Sequence, residues 1–217
     1  MQIARMPVPA GDLAMQRDKA AACMLFLSGA RAAAFTTLPI LAVSLEHHSI
    51  DQLPSLGVKT KMNHSRTTYL LQIPELLAVI QEWDARVHAE LPPSCPWYTV
   101  IESNWGDRRL SDKDPGSNRV IALDKRLELL MTVAGLTYKS AHKYRHGHAV
   151  YGLMHSSTRI TDETYAFLSE GEVREHILWL AGNPIVSPNG ELEAIIRSSG
   201  KEELGHALEV IGRMISG

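Results

Sequence analysis

Two arginines in this 217-residue sequence are placed where they could bind a phosphate group. Arg31 follows the tripeptide SGA at the end of an apolar stretch, and Arg145 stands three residues after His142. A guanidinium stays charged at physiological pH and offers a planar fork that matches two phosphate oxygens. A lone arginine more often forms a structural ion pair, so each of these gains weight only from the residues around it.

Four histidines are concentrated in a short part of the chain, at positions 142, 146, 148 and 155. His142 and His146 are four residues apart and would share one face of a helix, a spacing that suits a metal ion. No glutamate stands beside them in an HExxH pattern, and Glu128 is the only acid between 125 and 161. A metal-dependent hydrolase is therefore the weaker alternative. The plainer interpretation is a basic helix in which the histidines have a structural role.

Two lysines and a tyrosine complete the set of residues that could take part in chemistry. Two β-prone runs, 57–61 and 66–71, flank a polar turn and predict a β-hairpin with Lys59 and Lys61 on its first strand. Lysines on an edge strand usually discourage aggregation. Tyr165 lies in a short predicted helix, where a tyrosine is usually half-buried. A phenol has a pKa of about 10, so a nucleophilic tyrosine needs neighbouring cations or a base.

Taken in chain order, these elements resemble the catalytic domain of the tyrosine recombinases, the phage-integrase family. That family has a G-x-R box, a lysine in a β-hairpin, an H-x-x-R box, a His or Trp before two small residues, and then the nucleophilic tyrosine. The five elements occur here in the same order within residues 13–182, although Ala34 stands where the family usually has an acid. The matching segments are SGAR at 28–31, TKMNHSRT at 60–67, HKYRHGHA at 142–149, LMHSS at 153–157 and Tyr165.

The resemblance implies a site for breaking and rejoining DNA. Arg31 and Arg145 would bind the non-bridging oxygens of the scissile phosphate, and His155 would donate a hydrogen bond to one of them. Tyr165 would attack the phosphorus and form a 3′-phosphotyrosyl link. Strand exchange would then complete a site-specific recombination of the integration or excision type.

The resemblance also implies how protons are handled and which partners are needed. His142 would act as general base or orient the tyrosine, and Lys61 would protonate the departing 5′ oxygen, with Lys59 as the second choice. No metal and no cofactor are expected, because the cationic side chains supply the positive charge. The expected partners are double-stranded DNA and further copies of the protein, as a dimer or tetramer on the DNA.

The elements that must position these residues are predicted to be mainly helical. Apolar side chains recur at helical spacing in 11–27, 75–90 and 121–134, and Ser140 is expected to cap a fourth helix that carries the H-x-x-R box. The short apolar run 38–43 and residues 97–101 are candidates for strands. The predicted fold class is α+β, mainly helical, with a small antiparallel sheet, as in the recombinase catalytic domain.

The predicted domain organisation has three parts. Residues 1–12 would be an arm or linker, because Pro7 and Pro9 disfavour regular structure. Residues 13–182 would form the catalytic domain. Residues 183–217 would form a helical tail that docks on a neighbouring subunit.

Composition narrows the setting of the protein. The formal net charge is −2, which alone does not indicate a nucleic-acid-binding protein. The two cysteines form no CxxC pair, and no apolar run is long enough for a membrane span, so a reduced cytoplasmic location is expected. The resemblance further implies association with the nucleoid and an origin in a prokaryote, a phage or another mobile element. A catalytically inactive DNA-binding fragment or regulator, derived from an integrase, is the alternative function.

Overall fold

The computed structural model describes residues 2–104 and 107–152. This part of the chain is built mainly of α-helices with two small antiparallel sheets, which confirms the predicted class but adds one sheet. Three of the sequence-based predictions, for His155, for Tyr165 and for the 183–217 tail, lie outside the described residues.

The second helix, α2 (Leu13–Ser28), lies at the centre of the packing. The Asp12 side chain accepts a hydrogen bond from the Met15 backbone N–H and begins the helix, and Gly29, with a φ of 58°, ends it. An α-helix that is apolar on nearly all sides must be buried on nearly all sides. Accordingly, α2 packs mainly against three other helices: α4 (Pro74–Glu90), α5 (Arg119–Val133) and α6 (Ala141–Gly152).

Helix α4 begins at Pro74, which occupies the first turn, where its missing N–H costs nothing. The predicted apolar face is the face that is buried, and it consists of Leu76, Leu77, Ile80, Trp83 and Val87. The indole N–H of Trp83 donates to the carbonyl oxygen of Trp97 at 3.0 Å, which satisfies the polar edge of a buried ring. The sequence prediction for this helix is therefore confirmed.

The predicted helices that follow are also confirmed, with small shifts at their ends. Helix α5 buries Leu123, Leu127 and Leu130 and is followed by Gly135, which adopts a left-handed φ of 66°. Such a glycine is typical of a helix C-terminus. Helix α6 begins directly after Ser140, as expected, and carries the H-x-x-R segment.

The predicted β-hairpin is wrong in its pairing. The strand β3 (Arg66–Tyr69) pairs not with residues 57–61 but with β2 (Ser49–Gln52), which in turn pairs with β1 (Val43–Ser44). Residues 57–61 belong to the loop between β2 and β3, because Gly57 turns the chain with a φ of 83° and only Val58 is buried. The two lysines therefore lie on a loop and not on a strand.

The second sheet consists of β4 (Val100–Asn104) and β5 (Asp107–Ser111). The strand expected over 97–101 thus begins only at Val100. Trp97 is fully buried before it, and its backbone N–H donates to Leu38 at 2.8 Å. The apolar run 38–43 forms a 3₁₀ turn at Ile40–Ala42 and only then the short strand β1.

The N-terminal residues include one helical turn, α1 (Gln2–Arg5), where the prolines predicted an irregular arm. Ile3 and Met6 pack partly against the core, and the Lys19 ammonium donates to the Met6 carbonyl at 2.7 Å. Both cysteines are buried free thiols, and burial raises the pKa of Cys23 to about 12. In the part of the chain that the structure describes, no helix is long and apolar enough to span a bilayer.

Candidate functional site

A basic cavity of about 270 Å³ lies between the short helix α3 (Ala32–Phe35) and the loop that joins β2 to β3. Four lysine or arginine side chains line it, and none of the described residues that line it is acidic. A cavity with this lining attracts anions, because none of the described lining residues supplies a carboxylate that would neutralise its cations. The lining residues are Arg31, Ala34, Gln52, Lys59, Thr60, Lys61, Met62, His64, Ser65 and Arg66.

Arg31 reaches the cavity because the chain turns sharply between α2 and α3. Gly29 adopts the left-handed conformation, and the Ala30 backbone N–H donates to the Ser28 hydroxyl at 3.2 Å. Arg31 then occupies the N-cap position of α3 with extended backbone angles and an exposed side chain. The SGAR segment thus works as a tight turn that projects the guanidinium into solvent at the cavity.

Lys59 is held to the same short helix by its backbone. Its N–H donates to the Thr37 hydroxyl at 2.8 Å, and that hydroxyl donates to the Ala33 carbonyl oxygen, also at 2.8 Å. Thr37 therefore ties the β2–β3 loop to α3. The tie fixes the lysine-containing loop relative to Arg31 without using either charged group.

A strained turn follows at Lys61–His64. Met62 and Asn63 have φ values of 55° and 59°, and the His64 N–H donates to the Lys61 carbonyl at 3.4 Å. Two successive positive φ values define a type I′ turn, and a methionine rarely adopts one. The Met62 side chain is 78% exposed, so packing does not explain the strain. The turn places Lys61 and His64 at its two ends, both facing the cavity.

Thr60 contributes a buried hydroxyl to the lining of the cavity. Its Oγ1 atom is buried, and it makes no hydrogen bond with any described residue. A buried polar atom left unpaired costs about 1–3 kcal/mol. Because Thr60 lines the cavity, a bound anion could supply the missing acceptor after a small movement of the side chain.

One acid lies close enough to Lys59 to be affected by its charge. The backbone N–H of Gly116 and the charge of Arg119 lower the pKa of Asp114, with a smaller contribution from Lys59. The carboxylate is paired with Arg119 at 2.6 Å and does not line the cavity. Asp114 is therefore paired mainly with Arg119 and interacts only weakly with Lys59.

Helix α6 places the second predicted arginine beside the turn that carries the first. Arg145 donates from Nη1 to the Gly29 carbonyl oxygen at 2.6 Å, two residues before Arg31. His142 is exposed one turn earlier on the same helix. Neither His142 nor Arg145 is among the residues that line the cavity, whereas Arg31 and Lys61 both are.

His148 has a structural role, because its ring is held against the end of α2. Its Nδ1 lies 2.9 Å from the Phe26 carbonyl oxygen, and a Cβ added at Gly29 would lie only 2.6 Å from its ring. Burial, and to a lesser degree the charge of Arg145, lowers the pKa of His148 to about 4. The ring is therefore neutral at pH 7, and its Nδ1 carries the proton that Phe26 accepts.

The histidine cluster does not assemble a metal site within the described ranges. No three His, Cys, Asp or Glu side chains converge there on one point. His146 is exposed, while His148 is held by the backbone of α2. His155 and Tyr165 lie outside the described residues, so their predicted positions stay untested.

Besides Gln52 of β2, sequence reasoning missed four polar residues of the cavity, namely Thr60, His64, Ser65 and Arg66. They lie in the segment TKMNHSRT, of which the sequence predicts only Lys61 to belong to the site. The density of basic and polar residues on both sides of one turn was the available signal.

No protein-family model matches this sequence, and no curated protein matches it significantly. A solved structure of XerA recombinase is similar to this chain, with a sequence identity of 15% and a TM-score of 0.46. The likeness covers 90% of this chain and 65% of that one, so this chain spans less than two thirds of that recombinase. A likeness this distant carries no argument about what the present chain does.

Proposed function

We propose that this protein breaks and rejoins DNA through a 3′-phosphotyrosyl intermediate, as a recombinase of the tyrosine type. The observation that carries the proposal is the cavity lined by Arg31, Lys59, Lys61 and Arg66 and free of acids among its described lining residues. It is supported by the hydrogen bond from Arg145 to Gly29, which brings the second arginine beside the first.

The cavity suits a phosphodiester because the reaction adds negative charge at phosphorus. Arg31 and Arg145 would bind the two non-bridging oxygens and stabilise that charge as it develops. Ala34 also lines the cavity, at the position where the resembling family usually has an acid. Residue 34 therefore supplies no carboxylate that would compete with the phosphate for Arg31.

The bonds and protons of the proposed cleavage step balance without a cofactor. The Tyr165 phenol oxygen attacks phosphorus, and its proton passes to His142. The 5′ oxygen leaves and takes a proton from Lys61, with Lys59 two residues away as the second donor. A 5′ hydroxyl from another strand then reverses the step, so the energy of the phosphodiester is retained. His155 would donate a hydrogen bond to a phosphate oxygen.

The decisive experiment traps the covalent intermediate. The full chain is incubated with a pool of nicked duplexes of randomised central sequence, in which the cleaved 5′ fragment diffuses away and religation cannot occur. We expect an SDS-resistant protein–DNA adduct that is absent in Tyr165→Phe and reduced at least 100-fold in Arg31→Ala. Arg86→Ala is the matched control, because Arg86 is an exposed arginine of α4 paired with Glu90.

Each other outcome contradicts the proposal in a distinct way. An adduct that persists in Tyr165→Phe would assign the nucleophile to another residue. Binding of the duplex pool without any adduct would favour the inactive DNA-binding fragment instead. An equal loss in Arg31→Ala and Arg86→Ala would show that only overall charge matters.

A further inference from the structure

A second basic cleft, of about 200 Å³, lies at the opposite end of α2 from Arg31. Arg17 and Gly29 are twelve residues apart on this helix, which corresponds to about 18 Å along its axis. The two basic sites are therefore separate. The second cleft is lined by Ala14, Arg17, Ile101, Arg108 and Arg126.

A single buried carboxylate holds two of these arginines in place. Asp18 is fully buried, and its Oδ1 accepts hydrogen bonds from Arg17 Nε at 3.0 Å and Nη2 at 2.8 Å. The Tyr98 hydroxyl donates to the same oxygen at 2.7 Å, and Arg126 Nε donates to Oδ2 at 2.5 Å. Because both oxygens of Asp18 are used in this way, its charge is directed at the guanidiniums and not at the cleft.

Arg17 is fixed by two further contacts. Its Nη1 donates to the Thr99 carbonyl oxygen at 3.0 Å, and its guanidinium carbon lies 4.4 Å from the centre of the Tyr98 ring. A guanidinium that is stacked on an aromatic ring and donates three hydrogen bonds to fixed acceptors loses little further freedom when a ligand binds. This arginine therefore forms a rigid wall of the cleft.

Hydrogen-bond donors and positive charge are left over at this cleft. Within the described part of the chain, the terminal nitrogens of Arg126 make no hydrogen bond. Arg108 is half-exposed and has only a long contact, 3.5 Å, with Asp12. Among the described residues, three guanidiniums thus meet two carboxylates, Asp12 and Asp18, and neither carboxylate lines the cleft. A site with surplus charge and unused donors attracts an oxyanion.

We propose that this cleft binds a phosphate group, either as the free anion or as the end of a phosphomonoester. Arg126 and Arg108 would each donate to its oxygens, while Arg17 supplies fixed positive charge. Ala14 and Ile101 form apolar walls, which strengthen the electrostatic attraction by limiting water. This site does not depend on the proposed recombinase activity.

The test is isothermal titration calorimetry of the full chain with inorganic phosphate, at constant ionic strength. We expect binding that Arg108→Ala weakens at least tenfold. Arg109→Ala is the matched control, because Arg109 is the next residue of β5, points to the opposite face and contacts Glu102. Binding in Arg109→Ala should stay within twofold of the unmodified protein.

A second arm compares a nucleoside monophosphate with its parent nucleoside. Tighter binding of the monophosphate than of inorganic phosphate would identify the ligand as a monoester, and equal binding would identify the free anion. The proposal would be overturned if neither inorganic phosphate nor the nucleoside monophosphate gave detectable heat of binding. Loss in Arg31→Ala but not in Arg108→Ala would also overturn it, because the phosphate would then occupy the other cavity. Circular dichroism of each variant verifies that the fold is retained.

Discussion

Gly29 influences the positions of three other residues near the end of α2. Its carbonyl oxygen accepts from Arg145, its α-carbon faces the ring of His148, and its left-handed φ turns the chain toward Arg31. A side chain at position 29 would therefore meet both backbone strain and a steric clash. The sequence motif G-x-R thus has a structural reason that is independent of any chemistry.

His148 should make the stability of the protein depend on pH. Its pKa is about 4 in the folded state, below the ordinary value of 6.5 given for an unperturbed histidine. Between these two values the unfolded chain binds more protons than the folded one, so the free energy of unfolding falls as the pH drops. The expected loss from this residue is about 3 kcal/mol between pH 6.5 and pH 4.

The measurement is urea denaturation of the unmodified protein and of His148→Asn across this pH range. An asparagine amide can donate to the Phe26 carbonyl, as the ring does, but it does not titrate. We expect His148→Asn to show a shallower decline in stability with falling pH. His142→Asn, at an exposed position of the same helix, should leave the decline unchanged; parallel curves for all three proteins would refute the assignment of a neutral, partly buried ring.

At the scale of the elements, the helices were predictable because their evidence is local. The apolar face of α4 repeats with the helical period, Pro74 marks its start, and Gly135 marks the end of α5. These signals lie within a few residues of the element that they define. The same holds for α6, whose start follows Ser140.

The three-stranded sheet was not predictable, because its pairing is not local. In β2 the only fully buried apolar residue is Ile50, so the strand has little hydrophobic pattern. Its pairing with β3 is supported instead by polar contacts, from Gln52 to Thr68 at 2.6 Å and from Thr67 to Asp51 at 2.7 Å. Such contacts join residues 16 positions apart and leave no mark on either segment alone. For the same reason the sequence identified the lysines of the site but not the loop that carries them.

The Asp18 cluster should be one of the main links between elements. It joins α2 to α5 through Arg126 and to the segment before β4 through Tyr98, in a fully buried position. Removing one partner of a buried ion pair leaves charges without compensation and costs about 3–5 kcal/mol. We expect Asp18→Ala to lower the free energy of unfolding by an amount in this range, measured by urea denaturation.

The control for Asp18 is an ion pair at the surface. Glu75→Gln removes the partner of Arg5, and these side chains are 44% and 71% exposed. An exposed pair contributes about 0–1 kcal/mol, so this variant should be nearly as stable as the unmodified protein. If Asp18→Ala lowered the free energy of unfolding as little as Glu75→Gln, the cluster would not be a structural link. Arg17 would then not be expected to form a rigid wall of the second basic cleft.

At the scale of the whole molecule, the distribution of charge matters more than its sum. The chain has a formal net charge of −2, yet the cavity lined by Arg31, Lys59, Lys61 and Arg66 has no acid among its described lining residues. Screening limits the effect of a charge to about 8 Å at physiological ionic strength. Acids elsewhere on the surface therefore do not cancel this local field, and a protein of nearly neutral charge can still bind a polyanion.

The proposed function implies a specific response of DNA binding to salt concentration. Each phosphate that a cationic side chain neutralises contributes about 0.9 to the slope of log K against log salt concentration for duplex DNA. We expect the double substitution Lys59→Ala and Arg66→Ala to reduce the slope by about 1.8, as two lost phosphate contacts require. The measurement is the fluorescence anisotropy of a labelled duplex titrated with the full chain over a series of salt concentrations. Arg86→Ala removes one exposed charge outside the cavity and should leave the slope unchanged; if the double variant also binds with an unchanged slope, the cavity does not contact the DNA backbone.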